Sequence, residues 1–214
     1  MSTQAFRDFS TREGNALNFR LNWDIDDHFR LENDTSYLRT NGTVVSAAGT
    51  GEANFESFEQ ELKLRYQSDW LNGVIGGFLT QIDENDVIDG GVFSFDTTNE
   101  TTNYAAFGEV EVEVLPQVRL ILGGRYDREE VSSDSQTVFF GNAASAATDT
   151  TFDAFLPKAG IVYNFNDDVS VGFTFQRGYR AGGTTLNGFT GLAVPFDPEF
   201  TNNDELSFRS QPIA

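Results

Sequence analysis

The residue types that carry most enzyme chemistry are scarce in this chain. Its single histidine, His28, follows Asp26 and Asp27 in a short segment between two predicted strands. Catalysis or metal binding by a histidine needs further groups around the ring, and the sequence offers no such set near His28. The chain has no cysteine, which excludes thiol nucleophiles and disulfides. We therefore expect that the protein is not an enzyme, that it has no catalytic residue, metal centre or cofactor, and that His28 is a turn residue.

Acidic side chains are the most abundant candidate ligands. The formal net charge is −19, and lysine occurs only at Lys63 and Lys158. Binding of nucleic acid relies on clustered cations that face the phosphates, so this composition argues against it. Calcium sites need several converging oxygen ligands, and no predicted loop has the spacing of an EF-hand. We expect the loop acids to be solvated. They are Asp83, Glu84, Asp86, Asp89, Glu129, Glu130 and Asp134.

A two-residue alternation of side-chain character determines where these groups lie. In residues 17–23, apolar side chains at odd positions alternate with polar side chains at even positions. Successive side chains of a strand point to opposite faces, so the pattern predicts two-faced β-strands. Most are about nine to eleven residues long, and a ninth begins near 205–209. The eight complete segments are residues 17–23, 29–37, 58–66, 71–80, 104–114, 118–126, 155–163 and 169–175.

The connections between the predicted strands alternate between short and long. The short ones contain Asp, Asn or Pro, as tight turns require. They are Asp24–Asp27, Gln67–Trp70, Leu115–Gln117 and Asn164–Asp168. The long ones are rich in Gly, Ser, Thr, Asn, Asp and Ala, and they are residues 39–54, 82–101, 129–150 and 180–199. Short turns at one end of a meander and long loops at the other are typical of outer-membrane barrels.

The two faces of the predicted strands differ in charge. None of the outward positions is charged, whereas the other face carries many charges, among them Glu109, Glu111, Glu113, Arg119, Arg125 and Asp127. All six tyrosines and both tryptophans, Trp23 and Trp70, fall near predicted strand ends, as headgroup interfaces favour. We therefore predict an all-β, antiparallel up-and-down meander that forms part of a transmembrane β-barrel. In the alternative β-sandwich these aromatics are ordinary strand residues.

The second half of the chain resembles the C-terminal barrel of TonB-dependent outer-membrane receptors. The resemblance rests on four features in order: a strand with a proline at 155–163, an Asn-Asp turn at 164–168, a Gly-Tyr-Arg segment at 178–180 and a Glu-Leu strand at 205–209. Residues 104–108 and 123–127 are similar to two earlier strands of the same barrels. The resemblance covers most of residues 100–210, and the pattern of residues 15–80 is compatible with it.

The resemblance implies a 22-stranded barrel with a plug domain in the bacterial outer membrane, which imports an iron–siderophore or another scarce ligand with energy from the TonB system. Its partners are then outer-membrane lipid and lipopolysaccharide, its own plug domain, the TonB system and an iron chelate. We expect residues 1–214 to be an internal or truncated piece of the barrel domain with about eight to nine strands and no plug. The sequence contains neither a stretch of 18 apolar residues nor a signal-peptide pattern.

Two sets of residues are candidate contacts within this reading. Arg177, Tyr179 and Arg180 lie where a strand enters a long loop, and guanidinium groups beside an aromatic ring suit an anionic metal chelate. Their alternative role is in the family scaffold. The loop acids are candidates for divalent cations that bridge lipopolysaccharide. Two other function classes stay open, namely a passive porin or translocator barrel and a soluble β-rich binding domain.

Overall fold

The computed structural model describes residues 9–46, 49–186 and 193–210, and within these residues it contains strands and turns but no helix. Accordingly, no helix in this part of the chain is suited to crossing a membrane. The strands are β1 (Phe9–Asp24), β2 (Phe29–Ser46), β3 (Gly49–Gln67), β4 (Leu71–Asp89), β5 (Phe93–Leu115), β6 (Val118–Phe139), β7 (Asn142–Asn164), β8 (Val169–Arg180), β9 (Gly183–Leu186), β10 (Ala193–Phe196) and β11 (Glu199–Ser210).

The main sheet is an antiparallel meander, as the sequence predicts. Its nine strands follow the order β1 to β8 and then β11, and each pairs with its neighbour along the chain except where the small β9–β10 hairpin intervenes. The sheet is open, because β1 and β11 lie at its two edges and do not pair with each other within the described residues. The predicted ninth strand near 205–209 is β11, which is longer than expected.

The prediction of long loops is wrong for residues 39–54, 82–101 and 129–150. These residues continue the strands, which reach 18 residues in β2 and 23 residues in β5 and β7. Two of these hairpins end in short turns instead, at residues 90–92 and 140–141. Phe140 and Gly141 have φ angles of 47° and 80°, the left-handed pair of a type I′ turn. A strand that is polar on both faces still pairs with its neighbours through backbone hydrogen bonds, so these polar segments also extend the sheet.

The fourth predicted loop, residues 180–199, is only partly irregular. Between β8 and β11 it contains the short antiparallel pair β9 and β10, with Phe196 opposite Gly183. Residues 187–192, at the tip of the predicted loop, lie outside the described residues.

The four short connections are confirmed as turns. In the first, the Asp26 Oδ1 accepts hydrogen bonds from the backbone amides of His28 and Phe29, both at 2.8 Å. In the last, the Asn166 Oδ1 accepts from the amides of Asp168 and Val169 at 2.9 and 2.8 Å. The side-chain oxygens thus replace backbone partners in the turn, which is the reason why Asp and Asn occur there.

Strands β7 and β8 separate at Pro157. Their pairing runs from Asn164 with Ser170 to Lys158 with Gln176 and stops there. Proline has no amide hydrogen to donate to a neighbouring strand, so it is tolerated where pairing ends. Beyond this point β7 continues along β6 to Asn142, whereas β8 continues along β11. The chain leaves the main sheet after Arg180 and rejoins it at Glu199.

The sheet has no conventional core. Its most shielded residues are small or polar, and no large side chain in the described residues is fully buried. All of them lie on one face of the sheet, as expected when curvature crowds the concave side. They are Thr97, Asn103, Ala105, Asp127, Ser135, Thr137 and Ala154.

Candidate functional site

The convex face of the sheet carries an exposed apolar band. Most of the exposed large apolar side chains follow the outward phase of the alternation; Leu38, Val44, Ile88 and Phe139 are exceptions on the inward phase. The outward ones include Leu17, Phe19, Trp23, Leu62, Ile75, Leu122, Ile161, Phe173, Leu206 and Phe208, which are 45–78% exposed. A band of this extent on a folded sheet needs a cover, and a lipid bilayer provides one.

Aromatic residues mark the limits of the band rather than the ends of the strands. Tyr66, Tyr163 and Trp70 lie beside the short turns, as predicted. Tyr104 and Tyr126, in contrast, lie in the middle of β5 and β6, where the outer face changes from apolar to polar. Expecting these two at strand ends was wrong, because the strands continue past the band. We call the strand segments beyond the band the strand extensions; they are residues 39–46, 49–56, 81–89, 93–102, 128–139 and 142–153.

The concave face carries the ionic side chains in pairs. Lys63 lies between Glu61 and Glu32, and Glu32 also accepts from Arg65 at 2.8 Å. Lys158 Nζ is 2.6 Å from Glu109 Oε2, and Arg119 Nη1 is 2.7 Å from Glu111 Oε1 on the neighbouring strand. Antiparallel register places these cations and carboxylates on one face and within reach of each other. The band of the sheet therefore has an apolar outer side and an ion-paired inner side.

Arg125 is held in place at the upper limit of this inner face. Its guanidinium forms a two-pronged ion pair with Asp127, with nitrogen–oxygen distances of 2.7 to 3.0 Å. It also lies over the rings of Phe78 and Phe107, at 5.1 and 5.9 Å from their centroids. Gly76 makes room for the second ring, because a Cβ there would be 2.5 Å from Phe107 Cζ. Asp127 is only 5% exposed, so its charge depends on Arg125.

Polar groups without a full set of partners lie directly above this ion pair. The Asn103 amide nitrogen is 3.4 Å from Glu129 Oε2, while the Asn103 Oδ1 is buried without a hydrogen-bond partner. Burial raises the pKa of the Glu129 carboxyl; the hydrogen bond from Asn103 opposes this, and the charge of Asp127 adds to it. The buried hydroxyl of Tyr179 has no partner either, and burial together with Glu129, Asp127 and Asp153 raises its pKa to about 12.

Residues of the β9–β10 hairpin lie over the concave face of the strand extensions and border a partly open cavity of about 300 Å³. On one side the cavity is lined by residues 180–184 and Phe196. On the other side it is lined by inward residues of β4 to β7, namely Glu84, Asn99, Thr101, Glu129, Val131, Ser133, Thr148 and Thr150. We call this space the hairpin cavity. It lies between the extensions and the β9–β10 hairpin.

The structure separates the three residues predicted to contact a chelate. Arg177 lies over the ring of Phe200 at 4.1 Å from its centroid, and the ring centroid of Tyr179 is 5.3 Å from the same ring. Arg180 instead lines the hairpin cavity, with its Nη1 3.9 Å from Glu199 Oε2. Strand alternation explains the split, since residues 177 and 179 share a face and residue 180 has the opposite one.

The predicted loop acids lie on strands and are divided between the two faces. Asp83, Asp89, Glu130 and Asp134 follow the outward phase, whereas Glu84, Asp86 and Glu129 follow the inward one. Within the part of the chain that the structure describes, no three acidic or histidine side chains are grouped so that they could hold a metal ion. His28 lies in its turn as predicted, with Nδ1 2.9 Å from the Gln67 carbonyl oxygen.

Most residues of the hairpin cavity were missed by sequence reasoning. Asn99, Ser133 and Thr150 lie in segments that were interpreted as loops. In a loop the alternation of strand faces cannot be used to predict which way a side chain points. The available signal was only the absence of Gly and Pro from residues 128–139, which leaves nothing in that segment to interrupt a strand.

Comparison with known proteins agrees with the geometry. The model of a protein family described as TonB dependent receptor-like, beta-barrel, matches residues 2–212. Among solved structures, the ferric yersiniabactin uptake receptor FyuA from Yersinia pestis is 18% identical with a TM-score of 0.86, over 96% of this chain and 34% of that one.

Two further structures are similar. The alcaligin outer-membrane receptor FauA from Bordetella pertussis is 14% identical with a TM-score of 0.67, over 95% of this chain and 34% of that one. The copper transporter OprC is 17% identical with a TM-score of 0.70, over 94% of this chain and 37% of that one. These likenesses establish the fold, and the chain spans about a third of the length of the structures that it matches.

Proposed function

Because this chain belongs to the TonB-dependent receptor β-barrel family, we propose that it is part of the wall of an energy-dependent import receptor for a scarce ligand, with an iron–siderophore as the first candidate. The apolar convex face over an ion-paired concave face carries the proposal. A wall that separates lipid from a wet lumen needs both. Two of the similar structures are a ferric yersiniabactin uptake receptor and an alcaligin receptor, and the first of these brings iron chelates into consideration.

The inner face of the band is where we place the plug domain of the whole receptor. Its cations on β1 to β7 are already paired with carboxylates within the wall, so a plug can pack there without leaving one of these cations buried alone. The strand extensions then lie on the extracellular side, where outer-membrane barrels carry their longer connections. The hairpin cavity, on the concave side of these extensions, then lies on the extracellular part of the wall that an incoming ligand passes.

Transport in this proposal needs recognition and gating rather than bond chemistry. The receptor binds its ligand from outside, the plug blocks passive flow, and the TonB system supplies the energy for release into the periplasm. The residues described here bind, orient and separate water from lipid. Arg180, on the cavity side of β8, is the proposed ligand contact. Arg177, on the opposite face against Phe200, takes the scaffold role.

Uptake of radioactive iron tests the proposal. Cells that lack their own iron receptors and express the whole receptor are supplied with iron labelled in ferrichrome, ferrioxamine B and ferric enterobactin, with and without a functional TonB system. We expect that at least one chelate binds in both strains and is imported only when TonB is present. Import that is unchanged without TonB would show a passive pore, and no binding of any chelate would remove the iron candidate.

A further inference from the structure

The walls of the hairpin cavity indicate what kind of group it accepts. This inference deepens the proposed function and rests on it, since it concerns the ligand of the same receptor. The strand wall offers mainly uncharged hydrogen-bonding side chains, which are Asn99, Thr101, Ser133, Thr148 and Thr150. Hydroxyl and amide groups both donate and accept, so they suit a partner that does the same. A hydroxyl-bearing ligand has that property.

Two apolar surfaces accompany the polar wall. Val131 contributes one of them, and the ring of Phe196 on the covering hairpin contributes the other. The ring lies against Gly183, where a Cβ would be 2.8 Å from Phe196 Cζ. Gly183 thus lets the ring lie flat on the hairpin. A flat aromatic face beside hydroxyl and amide groups suits a ring-shaped polyol, whose C–H groups contact the aromatic ring while its hydroxyls reach the wall.

The charges around the cavity disfavour an anion. Glu84 and Glu129 line it against a single cation, Arg180. The Arg180 guanidinium is 78% exposed and near Glu199, so it is shared with a third carboxylate and largely screened. Arg125 adds no net positive charge, because it is paired with the buried Asp127, which lies two residues before Glu129 on the same face. The potential in the cavity is therefore negative, and a carboxylate or another anionic group is repelled.

We propose that the hairpin cavity binds a neutral or cationic, hydroxyl-rich group of the transported ligand and rejects an anionic one. A chelate or sugar that the receptor imports then presents its uncharged or ammonium-bearing hydroxylated part to β5, β6 and β7. A fully anionic iron chelate does not enter the cavity.

Residues 1–214 contain no cysteine, so one introduced thiol reports on the cavity alone once any cysteine elsewhere in the receptor is replaced by serine. Thr150→Cys places the thiol on the cavity wall of β7, and Thr151→Cys places a control thiol on the opposite face of the same strand. Both are made in the whole receptor, purified in detergent, and labelled with a neutral thiol reagent. The probes are glucosamine, glucose and glucuronate, which share one ring and carry a positive, no and a negative charge.

Glucosamine and glucose are expected to slow labelling of the Thr150→Cys thiol, with glucosamine effective at a concentration about tenfold below that of glucuronate or less. The control thiol should be labelled at the same rate with all three. Protection by glucuronate equal to or stronger than that by glucosamine would overturn the proposal, and so would the absence of protection by any of the three.

A second measurement needs no ligand. The Thr150→Cys thiol is expected to react faster with a cationic methanethiosulfonate than with an anionic one, and the double change Glu84→Gln and Glu129→Gln should reduce this ratio toward that of the control thiol. A ratio that the double change leaves unaltered would contradict the negative potential assigned to the cavity. Neither measurement depends on TonB, so their failure is distinct from failure of energy-dependent import.

Discussion

Each long strand of this wall has two parts with the same backbone and different outer faces. In the band, outward positions such as Leu62 and Leu122 are apolar and exposed. In the strand extensions, outward positions such as Glu56, Asp83 and Glu100 are acidic, and these three lie side by side across β3, β4 and β5. Hydrogen-bonded pairing continues through both parts. The length of a strand is therefore set by the backbone, and the position of the membrane is set by the side chains.

The two parts should differ most in the stability that is lost when a charge is placed on the outer face. Leu62→Arg places a cation at the centre of the band and should destabilise the receptor by about 2–4 kcal/mol. Asn54→Arg lies on the same face of β3, eight residues further along in the extension, and should change stability by about 0.5 kcal/mol or less. Reversible unfolding in liposomes measures both. Equal losses would mean that lipid does not cover the band.

The inner and outer faces of the band should differ in how they accept a methyl group. Gly76→Ala places a Cβ 2.5 Å from the Phe107 ring and 2.7 Å from the Leu62 carbonyl oxygen, so it should cost about 1–3 kcal/mol. At Gly77, on the outer face, the nearest atom would be 3.8 Å away, and Gly77→Ala should be close to neutral. Urea unfolding compares the two, and a neutral Gly76→Ala would show that Phe107 moves freely.

The next largest difference in stability is expected between the loss of an ion pair at the top of the band and the loss of one in the extensions. Asp127→Asn removes the two-pronged partner of Arg125 at a buried position and should cost about 1–2 kcal/mol. Glu130→Gln removes an exposed partner of Arg128, 3.3 Å away on the outer face of β6, and should cost about 0.5 kcal/mol or less. The same unfolding assay tests both, and a larger loss for Glu130→Gln would reverse the assignment.

The smallest expected effect is a pH dependence in the extensions. Burial raises the pKa of Glu129 in the folded receptor, so its ionisation opposes folding, and stability falls as the pH rises from the unfolded pKa through the folded one. Glu129→Gln should remove that loss, with a gain below about 1 kcal/mol at neutral pH and none at a pH below both pKa values. A variant that is less stable than wild type at neutral pH would contradict this sign.

The alternation of apolar and polar residues was enough to predict the meander, the facing of the band and the short turns. It could not predict the extensions, because the segments around Thr98 and Ser132 lack a regular alternation of apolar and polar residues and have the composition of loops. Their strand structure comes from pairing with neighbours that are distant in sequence, as in Thr98 opposite Asp134. The separation of β7 from β8 at Pro157 could not be predicted either, because a proline in a strand does not indicate which of the two neighbouring strands stops pairing with it.

The hairpin cavity shows the same limit. Arg180 was singled out from the sequence, but Glu129 on β6 and Phe196 on β10 line the same cavity only in the folded chain. The residues that face one another there are far apart in the chain, and nothing in their local patterns indicates contact.

The most direct test of the two-part strand is labelling along the outer face of β6 in intact cells. Single cysteines replace Leu122 in the band and Ser132 in the extension, and a water-soluble maleimide is added from outside. Leu122 is 56% exposed on the sheet itself, so only lipid can protect it. The account predicts rapid labelling at position 132 and none at position 122 until detergent is added. Equal labelling at both positions in intact cells would contradict it.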